Sequence, residues 1–300
     1  MPTISTPRKC PACSSAVRRS HGRKNGFEIF VCRGCRTIYT DRLPSLAEAQ
    51  DYDSYYCESN LTVPGFIETR IDEILAGFSS YRQTNRLLDV GFGAGTILER
   101  ASALGWQAFG QEISAPAARH ARARGFEVFL GDLCDAGYPD QYFDVVTASE
   151  LLEHLPDART VLADIARILR PGGLLWATTP AADSLSFRLL DTKWSNLSPP
   201  EHTQLYSRSG IARMLSEAGF STMSLKTHGL NPAEILSHFP RFRFGQDEQG
   251  GVEDFDPGPT GYALNEQFTR NPFRRFVKDA LNSGLNLLRI GDSLKIFAER

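Results

Sequence analysis

Between residues 86 and 112, apolar and glycine positions follow one order: an apolar run over 87–90, then Gly91, Gly93 and Gly95, a helical stretch to Leu104, and a second apolar run ending at Glu112. That order predicts strand, glycine turn, helix, strand and acid, the first βαβ unit of an α/β sheet. The alternation continues downstream. Helices are expected over 116–124, 157–170 and 208–218, and strands over 127–130, 143–149, 174–178, 220–227 and 293–298. Such an alternation implies a mainly parallel sheet covered on both faces, with ligands at the carboxyl ends of its strands. Upstream, Phe66, Ile67, Ile71, Ile74, Leu75 and Phe78 recur at helical spacing, and a polar helical stretch is expected after Leu43 and Pro44. Residues 245–261, rich in Gly, Asp, Glu and Pro, predict a loop. From Pro272 a helix places Phe273, Phe276, Val277, Ala280, Leu281 and Leu288 on one stripe, with Arg270, Arg274, Arg275 and Lys278 at its start. Docking of that stripe on the core or on a second subunit, as in a homodimer, is expected, and contact with a membrane surface is the alternative.

The first 42 residues read differently. Cys10 and Cys13 form one C-x-x-C pair and Cys32 and Cys35 another, eighteen residues apart. Four thiolates in two such pairs predict a tetrahedral zinc site, and residues 27–31 alternate like the strand of a zinc ribbon. So short a segment has little core of its own, so metal binding would supply much of its folding free energy. It holds nine Lys and Arg against Glu28 and Asp41, a local charge of +7 that leaves −9 on the rest of a chain whose net charge is −2. A basic head on an acidic body fits either a nucleic-acid or anionic-substrate contact or a solvated structural knob.

Composition narrows the class. With 300 residues, 41% hydrophobic and 23% charged, the chain suits a globular protein of one large domain and a small one. No apolar run approaches the roughly 18 residues a membrane helix needs. The first thirty residues lack the apolar core of a signal peptide, so a cytoplasmic location is expected. The expected division is a ribbon over 1–42, a helical segment over 43–85, an α/β core over 86–228 with 291–300, and an insertion over 229–290.

A dinucleotide fingerprint needs glycine where Thr96 stands, which disfavours an NAD-dependent oxidoreductase. The pattern Asp89-x-Gly91-x-Gly93-x-Gly95, with Glu112 at the next strand end, instead resembles motif I of the class I S-adenosylmethionine-dependent methyltransferases. Leu169, Arg170, Pro171, Gly172 and Gly173 ahead of a strand are also typical of those enzymes. The resemblance, closest to bacterial members with an amino-terminal zinc ribbon, implies a seven-stranded Rossmann-like sheet in three αβα layers, its last strand antiparallel. It also implies S-adenosylmethionine as cofactor. Gly91, Phe92, Gly93 and Gly95 would take its amino-acid end, Glu112 its ribose and Asp132 its adenine amino group. Asp89, Ile113, Leu133 and Glu150 would complete the pocket, and Tyr55 and Tyr56 could close over the sulfonium, a cation that aromatic faces attract.

Chemistry is expected at Glu150, Glu153 and His154, after the strand over 143–149, with His202 arriving from a later loop that also carries Trp194. On a helical turn Glu150 and Glu153 would share a face. Two carboxylates and two imidazoles are a candidate divalent-cation site, with Mg²⁺ considered first. The arrangement resembles metal-using 2′-O-methyltransferases of RNA 3′ ends and the ubiquinone-pathway O-methyltransferases. Without metal, His154 or His202 would act as general base, with Glu153 beside them. The expected reaction is methyl transfer to a hydroxyl of a small-molecule or carbohydrate acceptor. RNA bound by the basic ribbon is the second expectation, and a non-catalytic scaffold the third.

Overall fold

The computed structural model describes residues 8–56, 61, 65–238 and 272–300. Five parallel strands make up one side of a seven-stranded sheet: β4 (Arg86–Val90), β5 (Gln107–Glu112), β6 (Glu127–Leu130), β7 (Phe143–Ser149) and β8 (Leu169–Pro180). β11 (Ser293–Glu299) runs antiparallel between β8 and β10 (Thr222–His228). The strand order β10-β11-β8-β7-β4-β5-β6 reverses direction of growth between β4 and β7, the crevice where such sheets bind ligands.

Alternation along the strands sorts the core onto two faces. Leu87, Val145, Leu174 and Trp176 pack with Phe78, with Leu75 of α2 (Gly65–Ala76) and with Ala101 of α3 (Thr96–Ala103). Leu88, Val146, Ala148 and Leu175 face Leu162 and Ile165 of α5 (Ala158–Ile168) and Ile211 and Leu215 of α7 (Arg208–Ala218). The result is three αβα layers. Each fully buried aliphatic side chain contributes about 1.5–3 kcal/mol.

Local chemistry moved three elements away from expectation. Glu48 accepts the Ser45 N–H at 2.9 Å and binds Arg42, closing residues 45–48 into turns where a helix was expected. β8 begins directly after α5, so residues 171–173 do not precede the strand but form a bulge within it: Phe143 pairs with Leu169, and Val145 with Leu174. The Gly172 N–H donates to Arg300 O at 2.8 Å, and Gly173 O accepts from the Arg300 N–H at 3.0 Å. α9 (Pro272–Leu288) meets β10 through polar groups. Asn286 Oδ1 accepts from Thr227 N and Asn282 Oδ1 from Gly229 N, both at 3.0 Å. Ala280, Leu281 and Leu288 of the expected docking stripe are exposed instead. Residues 245–261, Arg270 and the side chains of Phe273, Arg274, Arg275, Phe276 and Lys278 lie outside the described residues.

The amino-terminal strands β1 (Arg18–Lys24), β2 (Phe27–Cys32) and β3 (Ile38–Thr40) form an antiparallel sheet whose fourth strand, β9 (Gln204–Leu205), comes from the loop region after β8. The ribbon is therefore built into the core. Phe27, Ile29 and Ile38 pack around Trp194, Leu197 and Leu205. Cys10, Cys32, Cys35 and Tyr39 belong to the same apolar cluster as Ile211 and Leu215. A Cβ at Gly210 would stand 2.5 Å from Thr37 Oγ1, so helix α7 can approach the ribbon this closely only with glycine there. Contacts to the core and within the ribbon engage part of its charge. Arg8 binds Gln204, Lys24 donates to Trp194 O at 2.8 Å, and Arg18 and Arg42 lie over the rings of Phe30 and Phe27.

Candidate active site

The glycine loop follows β4. Gly91, Gly93 and Gly95 have φ of 67°, 54° and 77°, left-handed values that β-carbon-bearing residues avoid. Beside it, Glu112 ends β5 and is 4% exposed. Its Oε2 accepts from Gly93 N at 2.9 Å, and its Oε1 from Ile113 N at 2.7 Å and Ser114 N at 3.0 Å. Three amides thus fix a carboxylate at the mouth of the crevice. Asp132, at the tip of β6, makes no capping bond to the helical turn that follows and is exposed, while Ile113 is half exposed and Leu133 buried. Asp89 is buried beneath the loop, accepts from Thr147 Oγ1 at 2.6 Å, and is pushed up to about 7 by burial. It supports the cradle from below.

Residues 51–56 roof this cradle. Helix α1 (Tyr52–Tyr55) is held by Asp53 Oδ1, which accepts from Ala115 N at 2.9 Å. The Tyr56 hydroxyl lies 2.6 Å from where a Cβ on Gly93 would stand, so only glycine allows this approach. Tyr56 packs on the cluster containing Phe92 and Leu98, while Tyr55 remains 49% exposed.

At the end of β7 the chain departs from a helix. Glu150 has φ of 48°, and its N–H donates to Thr178 O at 2.9 Å. This turn sends Glu150 to the accessible mouth of the cleft and Glu153 into the interior, fully buried, so the two do not share a helical face. Burial raises the Glu153 carboxyl, and the nearby Glu150 raises it further. Glu153 Oε2 accepts from Thr179 Oγ1 at 2.9 Å, and its Oε1 has no hydrogen-bond partner. His154 and His202, 48 residues apart in sequence, meet with ring centroids 4.6 Å apart. The edge of Tyr52 packs on His154 at 6.2 Å, a contact absent from the sequence pattern. Burial, and after it the neighbouring His202, lower His154 to about 4; burial lowers His202 as well. Both imidazoles are therefore neutral near pH 7. His202 Nδ1 donates to Asn196 O at 2.7 Å, which leaves Nε2 as an acceptor. Donor atoms of Glu153, His154 and His202 lie within 4.8 Å of one another, and Glu150 stands outside this group.

In the ribbon, the sulfurs of Cys10, Cys13, Cys32 and Cys35 lie within 4.8 Å of one another, with 3.5 Å between Cys10 and Cys35 and between Cys13 and Cys32. None is in a disulfide. A tetrahedron with Zn–S bonds of about 2.3 Å has S···S edges of about 3.8 Å, close to these separations.

A parallel sheet with a strand-end glycine cradle, and an amide-held acid on the next strand, defines a class I S-adenosylmethionine-dependent methyltransferase. Residues 63–225 match the family model described as Methyltransferase domain, and the chain belongs to that family. It is 31% identical over 161 residues to the ubiquinone biosynthesis O-methyltransferase of Thiobacillus denitrificans, covering 49% of this chain and 69% of that one. To the 27-O-demethylrifamycin SV methyltransferase of Amycolatopsis mediterranei it is 33% identical over 146 residues, covering 46% and 53% respectively. A crystal structure of an S-adenosylmethionine-dependent methyltransferase from Archaeoglobus fulgidus shares the fold, with a TM-score of 0.53 and 18% identity over 84% of this chain and all of that one. Among the described residues no helix is long and apolar enough to cross a membrane.

The chemistry of the cradle suits the cofactor: glycine backbone beneath Tyr56, an amide-anchored carboxylate that could accept from a diol, and the exposed Asp132 carboxylate, which could accept from an amino group. Glu112→Ala is expected to weaken S-adenosylhomocysteine binding about 30- to 100-fold by calorimetry, the loss of one or two hydrogen bonds to a charged group. Unchanged affinity would remove Glu112 from the cofactor site.

Proposed function

We propose that this protein transfers the methyl group of S-adenosylmethionine to a hydroxyl of a small-molecule or sugar acceptor in the cytoplasm. The observation that carries this is the pair of neutral, half-buried imidazoles, His154 and His202, packed ring to ring after the end of β7. The hydroxyl-methylating relatives named above support oxygen as the acceptor atom. When bound, the cofactor supplies a methyl group already activated by its sulfonium. Glu112 holds the ribose, Asp132 the adenine amino group between Ile113 and Leu133, and residues 91–95 with Phe92 the amino-acid end. Glu150 lines the mouth. His202, its Nδ1–H committed to Asn196 O, presents Nε2 to take the proton of the acceptor hydroxyl. Tyr52 packs on His154 and holds it against His202. Alignment of acceptor and donor supplies most of the remaining acceleration. In this scheme residues 1–42 are a structural zinc ribbon on four cysteines, 43–85 a lid, 86–228 with 291–300 the catalytic core, and 229–290 a substrate cap.

With methyl-labelled S-adenosylmethionine and a panel of catechols and glycosides, His202→Ala is expected to lower kcat about 100-fold or more. S-adenosylhomocysteine affinity should stay within about twofold of wild type, since the imidazole acts on the acceptor. Because burial holds the His202 imidazole below its ordinary value, kcat/KM should stay level through the ordinary histidine range and fall only at lower pH. An acid limb at the ordinary histidine value, or label recovered on nitrogen, would refute the assignment.

A second reading of the same group is a divalent-cation site on Glu153, His154 and His202, favoured by the partnerless Glu153 Oε1 and His154 Nδ1. Two imidazoles and one carboxylate suit a transition ion; Mg²⁺ prefers an octahedron of oxygens, so this donor set does not fit it.

A further inference from the structure

A second cavity, of about 600 Å³, opens between the ribbon and the turn around α6 (Leu185–Leu190), and the proposed transfer uses none of its residues. Its size is that of a small-molecule site. Four guanidiniums line it, Arg19, Arg33 and Arg36 from the ribbon and Arg188 from α6, against a single lining carboxylate, Asp191. That carboxylate is engaged by His21 Nε2 at 3.0 Å, and Arg36 is tied to Asp183 outside the lining at 3.3 Å. Arg33 and Arg188 have no side-chain partner among the described residues. The floor is apolar and flat: Phe187 is 9% exposed, and its ring centroid is 5.2 Å from that of His21.

Like charges brought to one concavity from two separate segments repel, and the walls of a cleft reduce the screening that would relieve them. A four-thiolate zinc centre carries two negative charges, and Arg33 sits on its knuckle beside Cys32. That accounts for cations on the ribbon. It does not account for Arg188, which belongs to another element. Guanidinium forks match the paired oxygens of a phosphoryl group, and they stay charged at any working pH.

We propose that this cavity binds a phosphoryl-bearing small molecule, its phosphate or diphosphate held by Arg33 and Arg188 and its body lying on Phe187 and His21. The same surface explains why the ribbon is fused to α6 rather than tethered: the site exists only where both meet. An extended nucleic acid would need a cationic track, whereas Arg8 and Lys24 are engaged in docking the ribbon, and Arg18 and Arg42 lie over its own Phe30 and Phe27.

The test is calorimetric titration of the zinc-loaded full chain, at constant physiological ionic strength, with inorganic pyrophosphate and separately with uridine diphosphate. Saturable binding of either is expected. Arg188→Gln should weaken it at least tenfold, and Arg33→Gln/Arg188→Gln should abolish it. Zinc content and S-adenosylhomocysteine affinity should be unchanged, which separates this site from the methyl-transfer site. Tighter binding of the nucleotide would assign the flat floor to a base or other body, and equal affinities would assign recognition to the diphosphate alone. No binding of either probe, affinity retained in the double variant, or loss of zinc in Arg188→Gln would overturn the proposal. So would tight binding of a single-stranded RNA that neither diphosphate displaces, which would assign the cations to nucleic acid.

Discussion

Replacing Cys32 and Cys35 together by serine is expected to unfold the ribbon and lower the thermal midpoint of the whole chain by more than about 10 °C. Structural zinc bound by four thiolates contributes on the order of 10 kcal/mol to folding, as much as the entire net stability of a typical domain. In an independent ribbon that loss would stay local. Here Cys10, Cys32 and Cys35 share an apolar cluster with Ile211 and Leu215 of α7. β3 pairs with β9, so the loop carrying Trp194 and His202 loses its support as well. Hydrogen exchange should show amides of 38–40 and 204–205 opening together, and zinc analysis should fall to zero. A variant that melted within about 3 °C of wild type would mean that the ribbon stands on packing alone, since each kcal/mol shifts such a midpoint by a few degrees.

Asp144→Ala is expected to destabilise the chain by about 3–5 kcal/mol without touching the cofactor residues. Asp144 is fully buried opposite the β8 bulge. Its Oδ2 accepts from the amides of Gln83, Thr84 and Asn85 at 2.8, 2.7 and 2.7 Å, and its Oδ1 from Arg170 Nε at 2.6 Å. The truncation would leave three amides and a nearly buried guanidinium without their acceptor. Burial pushes this carboxyl up, but Arg170 and the backbone amides outweigh it and hold it below its ordinary value. The sign follows: the stabilisation is fully present above the unfolded-state value near 4, and is lost as pH falls through the lower folded value. Urea unfolding of wild type and variant should therefore converge in strong acid and diverge near neutrality. A difference under about 1 kcal/mol at pH 7 would rank this ion pair with ordinary exposed ones.

The elements that the sequence made legible are those specified by neighbours in the chain. The helix over 208–218 and the strands over 127–130 and 143–149 fell where periodicity put them, because an apolar stripe repeats within a few residues. The glycine loop and the four cysteines could be read because each depends on local backbone freedom or on fixed short spacing. Glu150 was misjudged as part of a helical turn because its left-handed φ is fixed by Thr178 on the neighbouring strand, not by residues beside it. Which side of α9 would face the core was not legible, because α9 meets β10 through Asn282 and Asn286, and helical spacing does not say which face a neighbour will accept.

By itself, then, the sequence determined the βα alternation, the glycine loop with Glu112 at the next strand end, and the four-cysteine ribbon, all products of local patterning. Only the tertiary structure decided that β9 completes the ribbon, that His154 and His202 meet, and that Arg33 and Arg188 face one cavity. These pairs lie 48 to more than 150 residues apart, and no local propensity encodes them. Their closure costs chain entropy that is recovered only when the buried faces of both halves pack as one.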